Sequence, residues 1–230
     1  MPLLKTTSEG SVLIVEMLRP EQGNALNRQL QRELSATWQE FEDRDELKVA
    51  VLHGSAQVFS VGHDVEELAK GQGEEASPIP DAGIFPMGLA KPVIAAVEGP
   101  CYGLGFELAL ACDLRIAAED ATFGFPDLHL AVPYRVASVL LPRMTFSGQS
   151  ADLLFSGKVL DAQQMQARRL VNMVAPKAQA LSLAITTATT MGRHFVDADA
   201  FRKRNIWGLS GLSLPHAMTV VRETGPGAFR

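Results

Sequence analysis

The spacing of hydrophobic residues changes along this chain. In the first half, short runs of β-branched and aliphatic residues alternate with polar and glycine-rich segments, which is the pattern of buried strands. We predict five strands, at residues 11–17, 49–53, 92–98, 113–117 and 121–125. From about residue 137 onward the pattern is mostly helical, with helices predicted at 150–155, 161–169, 181–192 and 199–207 and a brief extended segment at 170–176.

The segment between the first two strands predicts one amphipathic helix, over residues 28–44. Its apolar residues recur every three or four positions, at Leu30, Leu34, Trp38 and Phe41, so they share one helix face. Asn27 stands just before it and is a residue type that accepts hydrogen bonds from the first helical N–H groups. We therefore expect Asn27 to cap this helix.

Residues 70–86 have the composition of a loop. They contain three glycines and three prolines, which interrupt both helices and strands. A loop of this length inside a compact domain is usually functional or mobile.

Two glycine turns run from predicted strands into helices. One lies in GPCYGLGFELALACDL, residues 99–114, where we predict a helix over 106–111 with Glu107 in its first turn; the other lies in FSVGHD, residues 59–64, where Asp64 would cap the next helix. Such turns leave backbone N–H groups at the positive end of a helix, where an anion is favoured. If the two strands are neighbours, two N–H groups converge on one oxygen, as an enolate or a tetrahedral oxyanion requires.

Composition and charge exclude several classes of partner. The chain has 230 residues, of which 47% are hydrophobic, and a formal net charge of −5 without a long basic stretch, so we expect a folded domain that does not bind nucleic acid. Its most apolar region, 93–118, is broken by charged residues and glycines, so no membrane span is predicted. Two cysteines, no secretory signal and no metal-ligand spacing favour a cytoplasmic protein without a metal site.

Several motifs in order resemble the crotonase family, the enoyl-CoA hydratase/isomerase superfamily. They are FSVGHDVEEL, KPVIAAVEGPCYGLGFELALACDLRIAAEDATFGFPDLHL and LVNMV, and the resemblance extends over residues 11–176. It implies an α/β, crotonase-like (ClpP/crotonase) spiral of β-β-α units with a helical C-terminal region. We accordingly expect a core with the acyl-CoA site over residues 1–175 and a helical region over 176–230 that mediates assembly.

The resemblance also assigns chemistry to individual residues. It implies that the backbone N–H groups of His63 and Leu104 hold the thioester oxygen and that Glu107 and Asp127 are the two catalytic carboxylates. Family hydratases carry glutamate at both positions, and Asp127 is one methylene shorter. The resemblance further implies that the substrate is a coenzyme A thioester, that no cofactor is required, and that the chain assembles as a homotrimer or a hexamer, as family members do.

Further residues are expected to line the substrate site: Val61, Gly62, Asp64, Gly103 and Tyr134. The VPY segment that ends at Tyr134 resembles the methylmalonyl-CoA decarboxylase branch of the family, in which the histidine and tyrosine at these positions face the acyl group. Simpler structural roles exist for the side chains: Glu107 as a helix-dipole partner, Asp127 as a turn residue, and Tyr134 as a packing residue.

Three functional hypotheses follow. The leading one is hydration of 2-enoyl-CoA through an enolate held by His63 and Leu104. The first alternative is decarboxylation of a malonyl-type (methylmalonyl) CoA, which needs the oxyanion hole but no water-activating pair of carboxylates. The second is a non-catalytic acyl-CoA-binding protein that retains the fold.

Overall fold

The computed structural model describes residues 2–70, 82–130 and 132–224. Within them, the strands are β1 (Leu4–Glu9), β2 (Val12–Met17), β3 (Val49–His53), β4 (Val93–Val97), β5 (Pro100–Tyr102), β6 (Leu114–Ala118), β7 (Thr122–Gly124), β8 (Val159–Asp161) and β9 (Met173–Ala175). The helices are α1 (Arg28–Asp43), α2 (Val65–Lys70), α3 (Gly103–Ala111), α4 (Arg135–Met144), α5 (Ser147–Ser156), α6 (Ala162–Ala167), α7 (Ala180–His194), α8 (Asp197–Leu209) and α9 (Leu214–Thr224).

The strands form two sheets. The larger sheet has the order β1-β2-β3-β4-β6-β9, in which only the β1–β2 pair is antiparallel. The smaller sheet has the order β5-β7-β8 and begins where β4 ends. β5 pairs in parallel with β7, with Cys101 opposite Phe123. A strand, a short strand and a helix follow one another at β4, β5 and α3 and again at β6, β7 and α4, which confirms the predicted α/β fold of β-β-α units.

Both faces of the larger sheet are buried at β3 and β4, which explains the apolar runs of these two strands. One face packs against the main core, to which α1 contributes the four apolar residues predicted from its spacing. The other face is covered by α7, which presents Ala180, Ala184 and Ala188 to it. Alanine at every fourth position lets α7 approach the strands closely.

Most of the predicted elements are present, with shifted ends. The capped helix is confirmed as α1, where the Asn27 side chain accepts a hydrogen bond from the Leu30 N–H. The helix predicted over 106–111 begins earlier, at Gly103, so Glu107 is its fifth residue and the expectation that it lies in the first turn was wrong. Residues 71–81 of the predicted 70–86 loop lie outside the described part of the chain.

The C-terminal helices differ in how they meet the core. α7 belongs to the packed core, although it follows the boundary predicted at residue 175. α8 and α9 are more exposed. The division into a core and an assembly region stays a prediction. Among the described residues, no helix is long and apolar enough to cross a membrane.

Candidate active site

The loop 60–63 lies between two other segments of chain. On one side, Val61 N–H donates to Gly23 O at 2.9 Å, and Leu26 N–H donates to Gly62 O at 2.7 Å. On the other side, Tyr102 N–H donates to Ser60 O at 2.9 Å. The first glycine turn is therefore fixed next to β5, which leads directly into the second.

The two glycine turns are side by side. A Cβ at position 62 would lie 3.1 Å from Leu104 N and 2.9 Å from Tyr102 O, and Gly62 has φ +103°, so only glycine fits there. Because the C=O and N–H of a trans peptide point in opposite directions, the bond from Leu26 N–H to Gly62 O directs the His63 N–H away from Leu26. Neighbouring donors at His63 and Leu104 are thus compatible with a shared acceptor oxygen.

The second predicted donor, the Leu104 N–H, belongs to the N-terminus of α3. Gly103 has φ +52°, and the residue before the helix, Tyr102, provides no side-chain cap. The first N–H groups of a helix have no acceptor within it, and they carry the positive end of the helix dipole. Leu104 is fully buried, so its N–H would act in a medium of low dielectric constant, where hydrogen bonds to a developing charge are strong.

Glu107 is buried next to the N-terminus of α4. Its side chain is 2% exposed, and Oε1 accepts a hydrogen bond from Ala137 N–H at 2.8 Å. Burial raises the pKa of the carboxyl from 4.5 to about 7, while the N–H groups of Ala137 and Val136 oppose this rise. A carboxyl with a pKa near 7 can both take and give a proton at neutral pH. Glu107 therefore also has a structural contact, but with the start of α4 and not in the first turn of its own helix α3.

Asp127 and Tyr134 lie around Gly103. A Cβ at position 103 would lie 3.5 Å from Asp127 Oδ2 and 3.7 Å from the Tyr134 hydroxyl oxygen. The negative charges of Asp127 and Glu107 add to burial in raising the pKa of the Tyr134 phenol, so all three side chains share one electrostatic environment. The structure thereby brings the two predicted carboxylates to the α3 turn.

Tyr134 is held in an unusual conformation. It is a non-glycine residue in the left-handed region, with φ 38° and ψ 59°, directly before α4. Its ring packs on Phe125 with centroids 4.6 Å apart. The hydroxyl is buried and has no hydrogen-bond partner among the described residues. A strained residue with an unpaired buried polar atom is an indication of function rather than of packing alone.

The remaining predicted site residues, Val61 and Asp64, have structural contacts. A Cβ at position 23 would lie 2.8 Å from Val61 Cγ1, so the Val61 side chain packs against Gly23. Asp64 caps α2, as predicted, by accepting from Glu67 N–H at 3.1 Å, and it pairs with Arg19 at 2.9 Å. Burial raises the pKa of this carboxyl, but the Glu67 N–H and the Arg19 guanidinium outweigh burial, so the pKa lies below its ordinary value. Substrate contacts by both residues stay predictions.

Sequence reasoning missed the loop 19–26. No role was predicted for this loop, yet it contacts both ends of the 60–64 segment, through Ser60 and Asp64. The signal that the sequence offers is one charged and one polar residue in this loop, Arg19 and Asn24. The donors to Glu107 at 136–137 were also missed, because they lie 30 residues further along the chain.

Within the described ranges, no group of three or more His, Cys, Asp or Glu side chains is placed to hold a metal ion. The predicted set consists of two backbone donors, at His63 and Leu104, and two carboxylates, at Glu107 and Asp127. Such a set can stabilise a developing oxyanion and transfer protons beside it.

Comparison with known proteins identifies the relatives of this chain. The family model for enoyl-CoA hydratase/isomerase matches residues 7–208. A mevalonyl-coenzyme A hydratase of Aspergillus fumigatus is 32% identical over 81% of this chain and 71% of its own length. A probable enoyl-CoA hydratase of Mycobacterium bovis is 32% identical over 94% of this chain and 85% of its own.

Comparison with solved structures identifies relatives of the same kind. The crystal structure of an enoyl-CoA hydratase from Mycobacterium tuberculosis H37Rv superposes with a TM-score of 0.89 at 28% identity, over 97% of this chain and 88% of that one. The family match covers both glycine turns, both carboxylates and the helices through α7. This chain belongs to the enoyl-CoA hydratase/isomerase family.

Proposed function

We propose that this chain is a hydratase that adds water to 2-enoyl-CoA thioesters. The observation that carries the proposal is the contact between the two glycine turns, with Leu104 N 3.1 Å from a Cβ at position 62, beside a buried carboxyl whose pKa is about 7. Family membership and the hydratase relatives support this activity. They do not favour the decarboxylase or the binding-only alternative.

In the proposed reaction, the thioester oxygen accepts hydrogen bonds from His63 N–H and Leu104 N–H. The water oxygen bonds to the β-carbon, and the electron pair of the double bond moves toward the thioester as an enolate. The proton lost by water and the proton gained by the α-carbon pass through Glu107 and Asp127. The reaction therefore adds one water molecule across the double bond with no net oxidation or reduction, and we propose no cofactor.

The other predicted site residues take passive roles in this proposal. Val61, Gly62 and Gly103 shape the turns that present the two donors, and Tyr134 lines the acyl end of the site. The buried Tyr134 hydroxyl has no partner in the part of the chain that the structure describes. This disfavours a purely apolar acyl group, because its binding would leave the hydroxyl unpaired. We propose that Tyr134 contacts a polar part of the bound substrate.

We also propose a homotrimer or a hexamer, with residues 176–230 contributing to assembly. Support comes from large hydrophobic side chains that α8 and α9 expose, Ile206 at 68% and Leu214 at 74%. Sedimentation analysis of Leu214→Ser tests this: a shift toward monomer supports the assembly role, and an unchanged mass contradicts it.

We also propose a cytoplasmic location. Two buried free cysteines, Cys101 and Cys112, support it; their oxidation to a disulfide in cell extracts would contradict it.

The decisive experiment compares two buried glutamates. Glu98, like Glu107, is buried and has a raised pKa. It also accepts a hydrogen bond from the first N–H of a helix, Ala180 N–H at 2.8 Å, but that helix is α7 and not α4. We expect Glu107→Gln to lower the hydration rate of a short 2-enoyl-CoA by about 10²–10⁴-fold, and Glu98→Gln to leave it within a few-fold.

The same assay separates the alternatives. Hydration retained in Glu107→Gln overturns the role of Glu107. Decarboxylation of a malonyl-type CoA by both wild type and Glu107→Gln, without hydration, would favour the first alternative. Tight acyl-CoA binding without turnover of either substrate would favour the second.

A further inference from the structure

A set of hydrogen bonds connects Arg19 to the loop that presents the first oxyanion donor. The Arg19 guanidinium donates from Nη1 to Ala25 O and from Nη2 to Asp64 Oδ2, the latter at 2.9 Å. Its backbone N–H donates to Asn24 Oδ1 at 2.8 Å. The Arg19 and Asp64 side chains are 12% and 13% exposed, so this ion pair is largely withdrawn from water and is less screened than a surface pair.

Asn24 continues the connection into the 58–62 segment. It is fully buried and adopts φ 51°. Its Nδ2 donates to Val58 O at 3.1 Å, and its carbonyl accepts from Ser60 Oγ at 2.8 Å. Ser60 Oγ in turn accepts from Gly62 N–H at 3.1 Å. The residue before the proposed donor is thus fixed through both its N–H and its C=O, since Gly62 O accepts from Leu26 N–H.

The residue after the donor is fixed as well. Both carboxylate oxygens of Asp64 are engaged, Oδ1 with Glu67 N–H and Oδ2 with Arg19. The peptide that carries the His63 N–H therefore lies between two anchored residues. Arg19 acts on both sides of this peptide. It donates to Ala25 O, which belongs to the same peptide as the Leu26 N–H that binds Gly62 O, and it donates directly to the Asp64 carboxylate.

We propose that Arg19 is a positioning residue for the oxyanion hole, which sets the direction of the His63 N–H through Ala25 and Asp64 without contacting substrate. This inference rests on the proposed function only in requiring that the His63 N–H binds a thioester oxygen. A misplacement of about 1 Å costs roughly 10²-fold in rate. For Arg19→Met we therefore expect kcat to fall by about 10- to 100-fold, with a smaller change in KM, because the donors act more strongly on the enolate than on the substrate.

The test uses a readout that does not depend on hydration. A saturated acyl-CoA labelled with ¹³C at the thioester carbonyl cannot be hydrated, and its carbonyl stretching frequency falls when the oxygen accepts strong hydrogen bonds. We expect the infrared shift on binding to wild type to shrink in Arg19→Met and in Asp64→Asn, and to recover partly in Arg19→Lys, which keeps the charge but not the two-pronged geometry. The matched control is Lys158→Met. It breaks the 2.7 Å ion pair with Asp152, in which the Lys158 side chain is 55% exposed and the Asp152 side chain 40%.

The outcomes separate this inference from the proposed function. A full carbonyl shift and unchanged kcat in folded Arg19→Met, or a lowered melting temperature with an unchanged shift, overturns the positioning role. Should Arg19→Met not fold, Asp64→Asn gives the same decision with an isosteric side chain. A wild type that polarises the carbonyl but does not hydrate enoyl-CoA would overturn the proposed function, and a smaller shift in Arg19→Met would then still support the positioning role. No shift in the wild type would overturn both.

Discussion

The buried carboxyl of Glu107 makes a prediction about stability that is independent of catalysis. Replacing it by glutamine keeps the shape of the side chain and an oxygen that accepts the Ala137 N–H bond. What the substitution removes is the negative charge. Because the side chain is 2% exposed, that charge is largely desolvated whenever Glu107 is ionised, and ionisation in the folded protein is unfavourable.

The size and sign of the effect follow from the pKa. In the unfolded chain Glu107 titrates near 4.5 and in the folded protein near 7, so the folded state binds the proton more tightly. The stabilisation from the protonated carboxyl is complete below pH 4.5 and is lost as the pH rises through 7. At about 1.4 kcal/mol per pKa unit, the wild type loses roughly 2–3 kcal/mol between pH 5 and pH 8 from this group alone.

Urea unfolding of wild type and Glu107→Gln at the two pH values measures this loss. We expect the difference in free energy of unfolding to move in favour of Glu107→Gln by about 2–3 kcal/mol on going from pH 5 to pH 8. Glu98→Gln should change in the same direction, since burial also raises the pKa of that carboxyl. A difference for Glu107→Gln that is the same at both pH values would refute the reasoning from burial.

Other changes probe separate parts of the site. The wild-type kcat/KM should change near pH 7, where Glu107 titrates, and the pH profile of Glu107→Gln should lack that limb; a limb retained in the variant assigns the titration to another group. Tyr134→Phe removes a buried hydroxyl that has no partner in the described chain, so calorimetry should show unchanged or higher stability, by about 1 kcal/mol; a loss above that size would reveal a partner. Gly105→Ala would bring a Cβ to 2.6 Å from Ser60 Oγ, and we expect about 1–3 kcal/mol of destabilisation together with slower hydration; full activity would show that the two turns are not tightly coupled.

The parts of the fold that sequence predicted correctly are those specified by local pattern. β3 has the predicted bounds because all five of its residues are buried, and the first four of them form an apolar run. α1 was predicted because its apolar spacing and its Asn27 cap agree. The helix α3 was placed too late, because Gly103 and Gly105 were interpreted only as turn residues.

The parts that were missed depend on distant contacts. β1 has one buried residue, Leu4, and no alternating pattern, so its strand state comes from pairing with β2, where Leu4 lies opposite Met17. In the site, the identities of His63, Leu104, Glu107 and Asp127 came from the family resemblance together with the two glycine turns. The contact of Glu107 with the start of α4 and the pairing of Arg19 with Asp64 join residues 30 and 45 positions apart, and no local pattern specifies such pairs.

The central claim is that two backbone N–H groups hold one thioester oxygen. A crystal structure with a bound, unreactive acyl-CoA tests it most directly. We predict a thioester oxygen about 2.7–3.1 Å from both His63 N and Leu104 N, with the β-carbon of the acyl group beside the carboxylates of Glu107 and Asp127. A thioester oxygen that contacts neither nitrogen, or only one of them, would contradict the claim.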